Sequence, residues 1–271
     1  MWIWLTLSSG VFNALWTAKI KSKVQTEGAI PFTVSMRWGV ALCLVPFALL
    51  TWKPVPAEWW IYSALAGLLE CLSLWAMARG MRKDYYSTYA LSNVTPLWVA
   101  FLSIWFLGET LTPTLWIGIL LVVAGAVWLY YHGHWSWWGL LAALIGAFSS
   151  LCSKKVIGIG SFSAHSCLAF GIGALIMTPL LFRQSESSWK VLARNFDRNK
   201  YLIPLSAIAT LSFYWALQLA PLSRVSPLVR VNLFVGFLLS YFHLGETQGW
   251  KARGFGAVLL LAGLVLVLWT A

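Results

Sequence analysis

The chain has 271 residues, of which 60% are hydrophobic and 10% are charged, with a formal net charge of +11. Soluble domains carry about 25% charged residues, so this composition excludes an ordinary soluble globular protein. The positive charge does not indicate a nucleic-acid-binding protein, because the Lys and Arg residues lie beside long apolar runs instead of forming one basic patch.

Ten apolar stretches follow one another along the chain, each near the roughly 20 residues that a membrane-spanning helix needs. Lipid cannot satisfy an unpaired backbone group, so each stretch is predicted to be helical. The connections are too short for a separate catalytic domain, and we therefore expect an all-α integral membrane protein that is not an enzyme. The predicted spans are 2–21, 33–52, 58–80, 85–107, 113–131, 135–156, 162–182, 201–219, 224–244 and 250–270.

The first two spans carry polar groups within apolar sequence. In the first span, Asn13, Trp16 and Thr17 lie about one helical turn apart. This pattern fits either the wall of a substrate cavity or the close packing of polar and small residues between helices. Arg37 lies near the predicted start of the second span, where its side chain is expected to reach the membrane interface.

Glu70 lies near the centre of the third span, where a charge is costly and usually functional. Three roles are open: it binds a cationic group of the substrate, carries a proton, or pairs with Arg37 or Arg230. Trp75 follows in the same span and, with Trp16, Tyr214 and Trp215, is a candidate for an aromatic box around an ammonium group. Because it is five residues from Glu70, it points away from that carboxylate.

The fourth span places Tyr89 on a polar face and contains Pro96, which is expected to loosen the helix. The span ends at Gly108–Glu109–Thr110. Glu109 is either a coupling carboxylate or a cap, in which Gly108 ends one helix and Glu109 satisfies the free N–H groups of the next. We favour the cap.

The spans of the second half also contain polar residues, some of them at positions equivalent to those in the first half. Arg230, in the ninth span, is suited to a substrate carboxylate, which a guanidinium binds through two hydrogen bonds, or else it neutralises Glu70. Thr210 occupies the position equivalent to Glu70, on a polar stripe through the eighth span. The predicted substrate-binding residues of this half are Ser149, Ser153, Tyr214, Gln218, Arg230 and Asn232.

The two halves are copies of one unit. GVFNALWTAKI at 10–20 matches GAFSSLCSKKV at 146–156, and Gly245–Glu246–Thr247 repeats the first triplet 137 residues later. Each copy, 1–131 and 135–271, holds five predicted spans. An odd number of spans inserts the copies in opposite senses, so we predict two inverted five-helix repeats, with the substrate site near the membrane midplane between them.

The repeated segments carry a family resemblance. Pro96 and the run from Phe106 to Thr112, followed by Gly118 and Gly125, resemble the EamA repeat. The second copy has the run from Leu244 to Thr247, followed by Gly256 and Gly263. Over nearly its full length the chain is similar to ten-helix EamA-type members of the drug/metabolite transporter superfamily.

The resemblance implies transport but no particular substrate, because the family includes exporters and importers of amino acids, amines, sugars and nucleotide derivatives. One position departs from the repeat: Leu233 stands where the first copy has Pro96. The kink in the ninth span is therefore predicted to differ from that in the fourth.

These features predict a secondary transporter that moves an amino acid or related zwitterion by alternating access. Arg230 would take the carboxylate, and Glu70 an amine or a proton. The alternatives are a carrier of choline-like organic cations and a passive facilitator or channel. The sequence lacks a P-loop, so we predict no ATP coupling. We also expect no cofactor, no metal and no nucleic-acid partner, and one chain suffices for a cavity.

Lys and Arg residues concentrate on alternate loops, most densely at 79–83 and 183–200. The positive-inside rule places these loops in the cytoplasm. We therefore predict a multi-pass protein of the bacterial cytoplasmic (inner) membrane with both termini outside the cytoplasm.

Overall fold

A computed structural model describes residues 1–17, 28–130, 135–183, 188–243 and 250–270. Within these ranges the chain forms α-helices and no strands, which confirms the predicted all-helical class. The helices are α1 (Trp2–Thr17), α2 (Ala29–Leu50), α3 (Ala57–Lys83), α4 (Tyr85–Ser92), α5 (Thr95–Leu107), α6 (Pro113–Tyr130), α7 (Trp137–Ile157), α8 (Phe162–Phe182), α9 (Ser188–Asn199), α10 (Leu202–Leu219), α11 (Leu222–Leu228), α12 (Val231–His243) and α13 (Trp250–Trp269).

Eight described segments have the length and composition to cross a membrane, and they correspond to the second through ninth predicted spans. They include the composite segments Tyr85–Leu107 and Leu222–Leu239, each of which contains a break. At the chain ends, α1 has 16 residues and the apolar part of α13, Arg253–Trp269, is also shorter than these spans.

The two composite spans break at matching positions. The break between α4 and α5 contains Asn93, and the break between α11 and α12 contains Arg230, 137 residues later. Pro96 lies at the start of α5, whereas Pro227 precedes the second break. Both spans are therefore broken, and the predicted difference between their kinks is a difference in the position of the proline.

Glycines allow α6 and α13 to pack with their backbones nearly touching. A Cβ on Gly125 would lie 2.4 Å from the Leu260 nitrogen, and one on Gly263 would lie 2.6 Å from the Val122 nitrogen. Gly118 and Gly256 fill the other two positions of the same crossing. Small residues permit this close approach between helices in membranes.

The connection between α8 and α10, expected to be a charged loop, contains the helix α9. This helix carries Lys190, Arg194 and Arg198 and packs against α2. Its one strongly buried apolar side chain, Leu192, joins a cluster with Val34 and Leu181. This helix was not predicted because its few apolar residues are separated by charged ones and form no long apolar run.

The bundle has two ends, which we name by the turns that meet there. At the Glu109 end, the hydroxyl oxygens of Thr51 and Ser161 are 2.7 Å apart, and Glu109 contacts the start of α11. At the Asp84 end, the hydroxyl oxygens of Thr88 and Ser136 are 2.6 Å apart. The second triplet, Gly245–Glu246–Thr247, and the loop residues Lys19, His132 and His134 lie outside the described residues.

Candidate functional site

A cavity of about 290 Å³ lies between the two halves of the chain. Residues of α1, α2, α3, α4, α7, α8 and α10 line it, together with both helix breaks. Nine of the predicted substrate-binding residues are on its wall. They are Asn13, Trp16, Thr17, Glu70, Tyr89, Ser149, Tyr214, Arg230 and Asn232.

The cavity extends toward the Asp84 end. Its lining includes Thr17 at the end of α1, Met36 near the start of α2, Met77 near the end of α3 and Ser206 near the start of α10, all at that end. At the opposite end a buried apolar cluster fills the space between the helices. That cluster includes Val99, Ile157, Leu217, Leu222 and Val225.

Glu70 and Arg37 form an ion pair on the cavity wall. Arg37 Nη1 lies 3.2 Å from Glu70 Oε1 without the alignment of a hydrogen bond, and Nη2 donates to the Glu70 backbone oxygen at 2.9 Å. Tyr214 donates its hydroxyl to Glu70 Oε2 at 3.0 Å. The Phe170 ring lies 4.4 Å from the Arg37 guanidinium carbon. Both carboxylate oxygens therefore have protein partners.

The expectation that Arg37 reaches the interface is wrong. Helix α2 begins at Ala29, one turn before the predicted start, so Arg37 is two turns inside the helix. The residue is only 3% exposed. Its charge is balanced by Glu70, as a guanidinium inside a membrane requires.

Arg230 pairs with an amide and not with Glu70. Arg230 Nη1 donates to Asn93 Oδ1 at 2.8 Å, a contact that joins the two helix breaks. Asn93 in turn donates through Nδ2 to the Tyr89 backbone oxygen at 2.7 Å, which fixes the amide orientation. Among the described residues, no carboxylate forms an ion pair with Arg230.

Three predicted site residues are not on the cavity wall. Trp75 packs edge-on against Trp138 and under the Arg79 guanidinium. Ser153 is fully buried beyond the cavity, and Gln218 faces outward near the end of α10. Ser153 and Gln218 lie about one helical turn, roughly 6 Å, nearer the closed Glu109 end than Ser149 and Tyr214, which line the cavity.

The aromatic residues proposed for an ammonium box are dispersed. Trp16 and Tyr214 line the cavity, but Trp75 does not. Trp215 is 42% exposed and stacks on Phe162. These rings do not surround one point of the cavity.

Glu109 caps a helix, although not the one expected. Its two carboxylate oxygens accept from the backbone nitrogens of Leu222 and Ser223 at 2.8 and 3.0 Å. The capped helix is therefore α11, in the other half of the chain, and not α6, which follows in sequence. Gly108, with φ of 66°, ends α5 in a left-handed conformation, as the sequence indicated.

Lys154 binds the other side of the same turn. Its Nζ donates to the backbone oxygen of Ala220 at 2.8 Å and also to that of Leu217, at the C-terminal end of α10. A carboxylate at a helix N-terminus and an ammonium at a helix C-terminus both complement the helix dipole. We call this pair of contacts the Glu109–Lys154 clamp. Lys154 falls near the end of the predicted span 135–156, and the sequence analysis gave it no role.

Comparisons with known proteins agree with this architecture. The model of the EamA-like transporter family matches residues 1–131 and again residues 134–269. The chain belongs to this family. As an EamA-family protein it is a multi-pass membrane transporter, which implies a small-molecule substrate and a lipid bilayer, and its relatives point away from an enzyme.

Two individual similarities accompany the family match. The EamA-family chain is 30% identical over 135 residues to an "uncharacterized transporter in cobO 3'region" from Sinorhizobium sp., covering 47% of this chain and 95% of the relative. A solved structure described only as a crystal structure of a protein superposes with a TM-score of 0.71. It covers 98% of this chain and 99% of its own at 16% identity, so it supports the fold alone.

Proposed function

We propose that the protein is a secondary transporter in which two inverted repeats alternate access to the central cavity. One observation carries the proposal: a cavity between the halves holds both a cation, Arg230, and a carboxylate, Glu70. The predicted units 1–131 and 135–271, with five spans each, are part of the proposal.

The reciprocity of the helix contacts supports the inverted repeat. In the α6–α13 crossing, Gly118 meets Gly263 and Gly125 meets Gly256, while Gly256 and Gly263 are the repeat equivalents of Gly118 and Gly125. Such exchange is the signature of a two-fold relation, in which residue i contacts j and j contacts i. Asn93 and Arg230 are also repeat equivalents, and they contact each other directly.

Exchanged pairs elsewhere follow the same rule. Ser9 of α1 donates to the Ala209 oxygen of α10 at 2.8 Å, and Ser149 of α7 donates to the Ala66 oxygen of α3 at 2.9 Å. Helices α1 and α7 are the first spans of the two copies, whereas α10 and α3 are the third spans. The first span of each copy thus contacts the third span of the other copy.

The geometry corresponds to one state of the transport cycle. The cavity reaches the Asp84 end, and the Glu109–Lys154 clamp with its apolar cluster closes the other end. The Asp84 end carries the basic residues around 79–83 and on α9, so we place it in the cytoplasm of an inner-membrane protein with both termini outside. On this proposal the arrangement corresponds to the inward-facing state. Outward opening would require release of the clamp.

We propose an amino acid or related zwitterion as substrate, with its carboxylate at Arg230. A carrier of organic cations is the weaker alternative, because the cavity carries an unpaired guanidinium and its aromatic rings are dispersed. A passive facilitator would show the same binding but would never accumulate substrate.

The test is thermal stabilisation of the purified protein by amino acids, amines, sugars and nucleotides, followed by uptake into proteoliposomes. A ligand that binds the native state raises the melting temperature by mass action. We expect stabilisation by amino acids and accumulation when a proton gradient or counter-substrate is imposed. Stabilisation by amines or sugars alone would contradict the proposed substrate, and transport that only equilibrates would support the facilitator.

A further inference from the structure

We propose that the cavity recognises a carboxylate as the obligatory group of its substrate, and that an amino group is optional. The substrate class is then small organic monocarboxylates, of which amino acids are one subset. This inference rests on the proposed transport function and narrows its ligand.

The charges facing the cavity do not cancel. Among the described lining residues, the charged ones are Arg37, Glu70 and Arg230. The first two neutralise each other at 3.2 Å, which leaves the Arg230 guanidinium as an excess positive charge. Arg230 is half-buried inside the bundle, where an uncompensated charge is unfavourable, so this site favours a ligand that brings one negative charge.

The surroundings of Arg230 offer hydrogen bonds but no negative charge. Asn93 occupies one guanidinium nitrogen, and the buried Nε atom has no hydrogen-bond partner. A guanidinium can bind a carboxylate through two parallel hydrogen bonds. Asn93 holds the guanidinium at the meeting point of the two helix breaks, so it stays at the cavity wall, and because Nε is buried a carboxylate would bind through the Nη atoms.

An amino group has no comparable partner. Glu70 has one oxygen near Arg37 and the other on Tyr214, so its negative charge is already balanced and attracts an ammonium less than an unpaired carboxylate would. Asn232 lines the cavity, is 3% exposed and has an unpartnered Oδ1 atom. This neutral oxygen can accept a hydrogen bond from an amino group, but it does not provide a countercharge. The amino group therefore adds little to binding.

The cavity size limits the ligand. At about 290 Å³ the cavity is at the lower limit of pockets that hold drug-sized molecules, roughly 300–1,000 Å³. A monocarboxylate of amino-acid size fits, together with a few waters.

The test uses three matched triplets of compounds and the purified full chain. Alanine, leucine and phenylalanine are each compared with the deaminated acid (propanoate, 4-methylpentanoate, 3-phenylpropanoate) and the decarboxylated amine (ethylamine, 3-methylbutylamine, 2-phenylethylamine) at equal ionic strength. The readout is thermal stabilisation. We expect at least one acid to stabilise as much as its amino acid, and no amine to stabilise at all.

Variants assign the effect to Arg230. Arg230→Gln should weaken acid binding roughly 10- to 100-fold, the value of a charge-assisted hydrogen bond or two, and Arg230→Lys should restore part of it. Asn93→Asp keeps Arg230 but gives it an internal carboxylate, so it should weaken acid binding as well. Arg79→Gln, which removes a guanidinium outside the cavity, is the control and should bind as wild type does.

The outcomes separate the two proposals. If an amino acid stabilises the protein and its deaminated acid does not, or if an amine stabilises it, the inference is overturned and the transporter proposal stands. If Asn93→Asp binds acids as well as wild type does, the excess charge at Arg230 is not the determinant. If none of the nine compounds stabilises the protein, both the inference and the proposed amino-acid substrate fail.

Discussion

Glu70 and Arg37 show how a membrane protein carries charges that it cannot expose to lipid. Arg37 is 3% exposed and lies against Phe170, whereas the Glu70 side chain remains 31% exposed to the cavity. Removing one partner of such a pair leaves an uncompensated charge, which costs more than the pair contributed. The main effect of the pair on stability is therefore that the loss of either partner alone destabilises the fold.

We expect Glu70→Gln to lower the apparent melting temperature more than Tyr214→Phe does. The first change leaves Arg37 without a countercharge, at a cost of roughly 2–3 kcal/mol, because the partly exposed site lies below the 3–5 kcal/mol of fully buried pairs. The second removes one hydrogen bond, at about 1 kcal/mol. Thermal unfolding in detergent measures both variants.

The double variant Arg37→Met, Glu70→Met is the control for this prediction. It removes both charges and keeps much of the side-chain volume, so it should recover most of the stability lost in Glu70→Gln. If the double variant is no more stable than Glu70→Gln, the loss does not come from an uncompensated charge.

At this scale the sequence predicted the charge and left its partner open between Arg37 and Arg230. Glu70 was identifiable because an acidic residue in the centre of an apolar run is rare. Its partner depended on where α2 begins, and the predicted start at 33 placed Arg37 one turn too near the interface. Arg230 was predicted as a substrate-binding residue for the same reason as Glu70. Its contact with Asn93 required knowing that the two repeats meet at this point.

At the scale of elements, the α6–α13 crossing depends on glycines that the sequence showed only as repeated positions. Gly118, Gly125, Gly256 and Gly263 were recognisable as two equivalent pairs. That the pairs contact each other across one interface is a property of the folded chain. The helix breaks were harder to predict, since Pro96 indicated one and no residue at the matching position indicated the other.

We expect Gly125→Ala to destabilise the protein and Gly171→Ala to leave it unchanged or slightly more stable. A Cβ at Gly125 would meet the Leu260 backbone, so the helices must separate, at about 1–3 kcal/mol. Gly171 of α8 has no atom within 4 Å of an added Cβ, and alanine in a helix gains about 0.5–1 kcal/mol over glycine. Melting temperatures of the two single variants give the comparison. Equal stability would show that the crossing adapts to the added carbon.

For the whole molecule, the Glu109 contacts of the clamp tie the first half to the second at one end of the bundle, whereas the Lys154 contacts lie within the second half. Glu109 belongs to the turn after α5, yet it holds α11. In an alternating transporter, contacts between the halves at one end must break when the other end closes. The Glu109 contacts and the apolar cluster behind them are of this kind.

We expect Glu109→Gln to expose the closed end. The substitution replaces a carboxylate by an amide with one acceptor, which loses about 1.5–3 kcal/mol of charge-assisted hydrogen bonding and shifts the population roughly tenfold toward the open state. The reporter is Val225→Cys, at a fully buried position of the cluster, in a chain whose four native cysteines are replaced by alanine. Labelling by a membrane-impermeant maleimide in intact cells should be about tenfold faster with Glu109→Gln than without it.

Glu58→Gln is the matched control, because Glu58 is an exposed carboxylate at the same end of the bundle, in the first turn of α3. It should leave the labelling rate of Val225→Cys unchanged. Equal labelling with and without Glu109→Gln would contradict a gating role for the clamp. Labelling in inside-out vesicles but not in intact cells would reverse the proposed orientation and retain the gate.

The contact between Arg230 and Asn93 has a consequence for the ancestry of the chain. In an assembly of two identical five-helix subunits, a residue on the symmetry axis occurs twice or not at all, so the cavity would hold two arginines in mutual repulsion or two neutral asparagines. Covalent fusion of the halves removes that restriction, because each copy can then change alone. If the halves are inverted copies, a single guanidinium facing its own asparagine counterpart is an asymmetry that two identical subunits could not have, and it gives the cavity an odd charge.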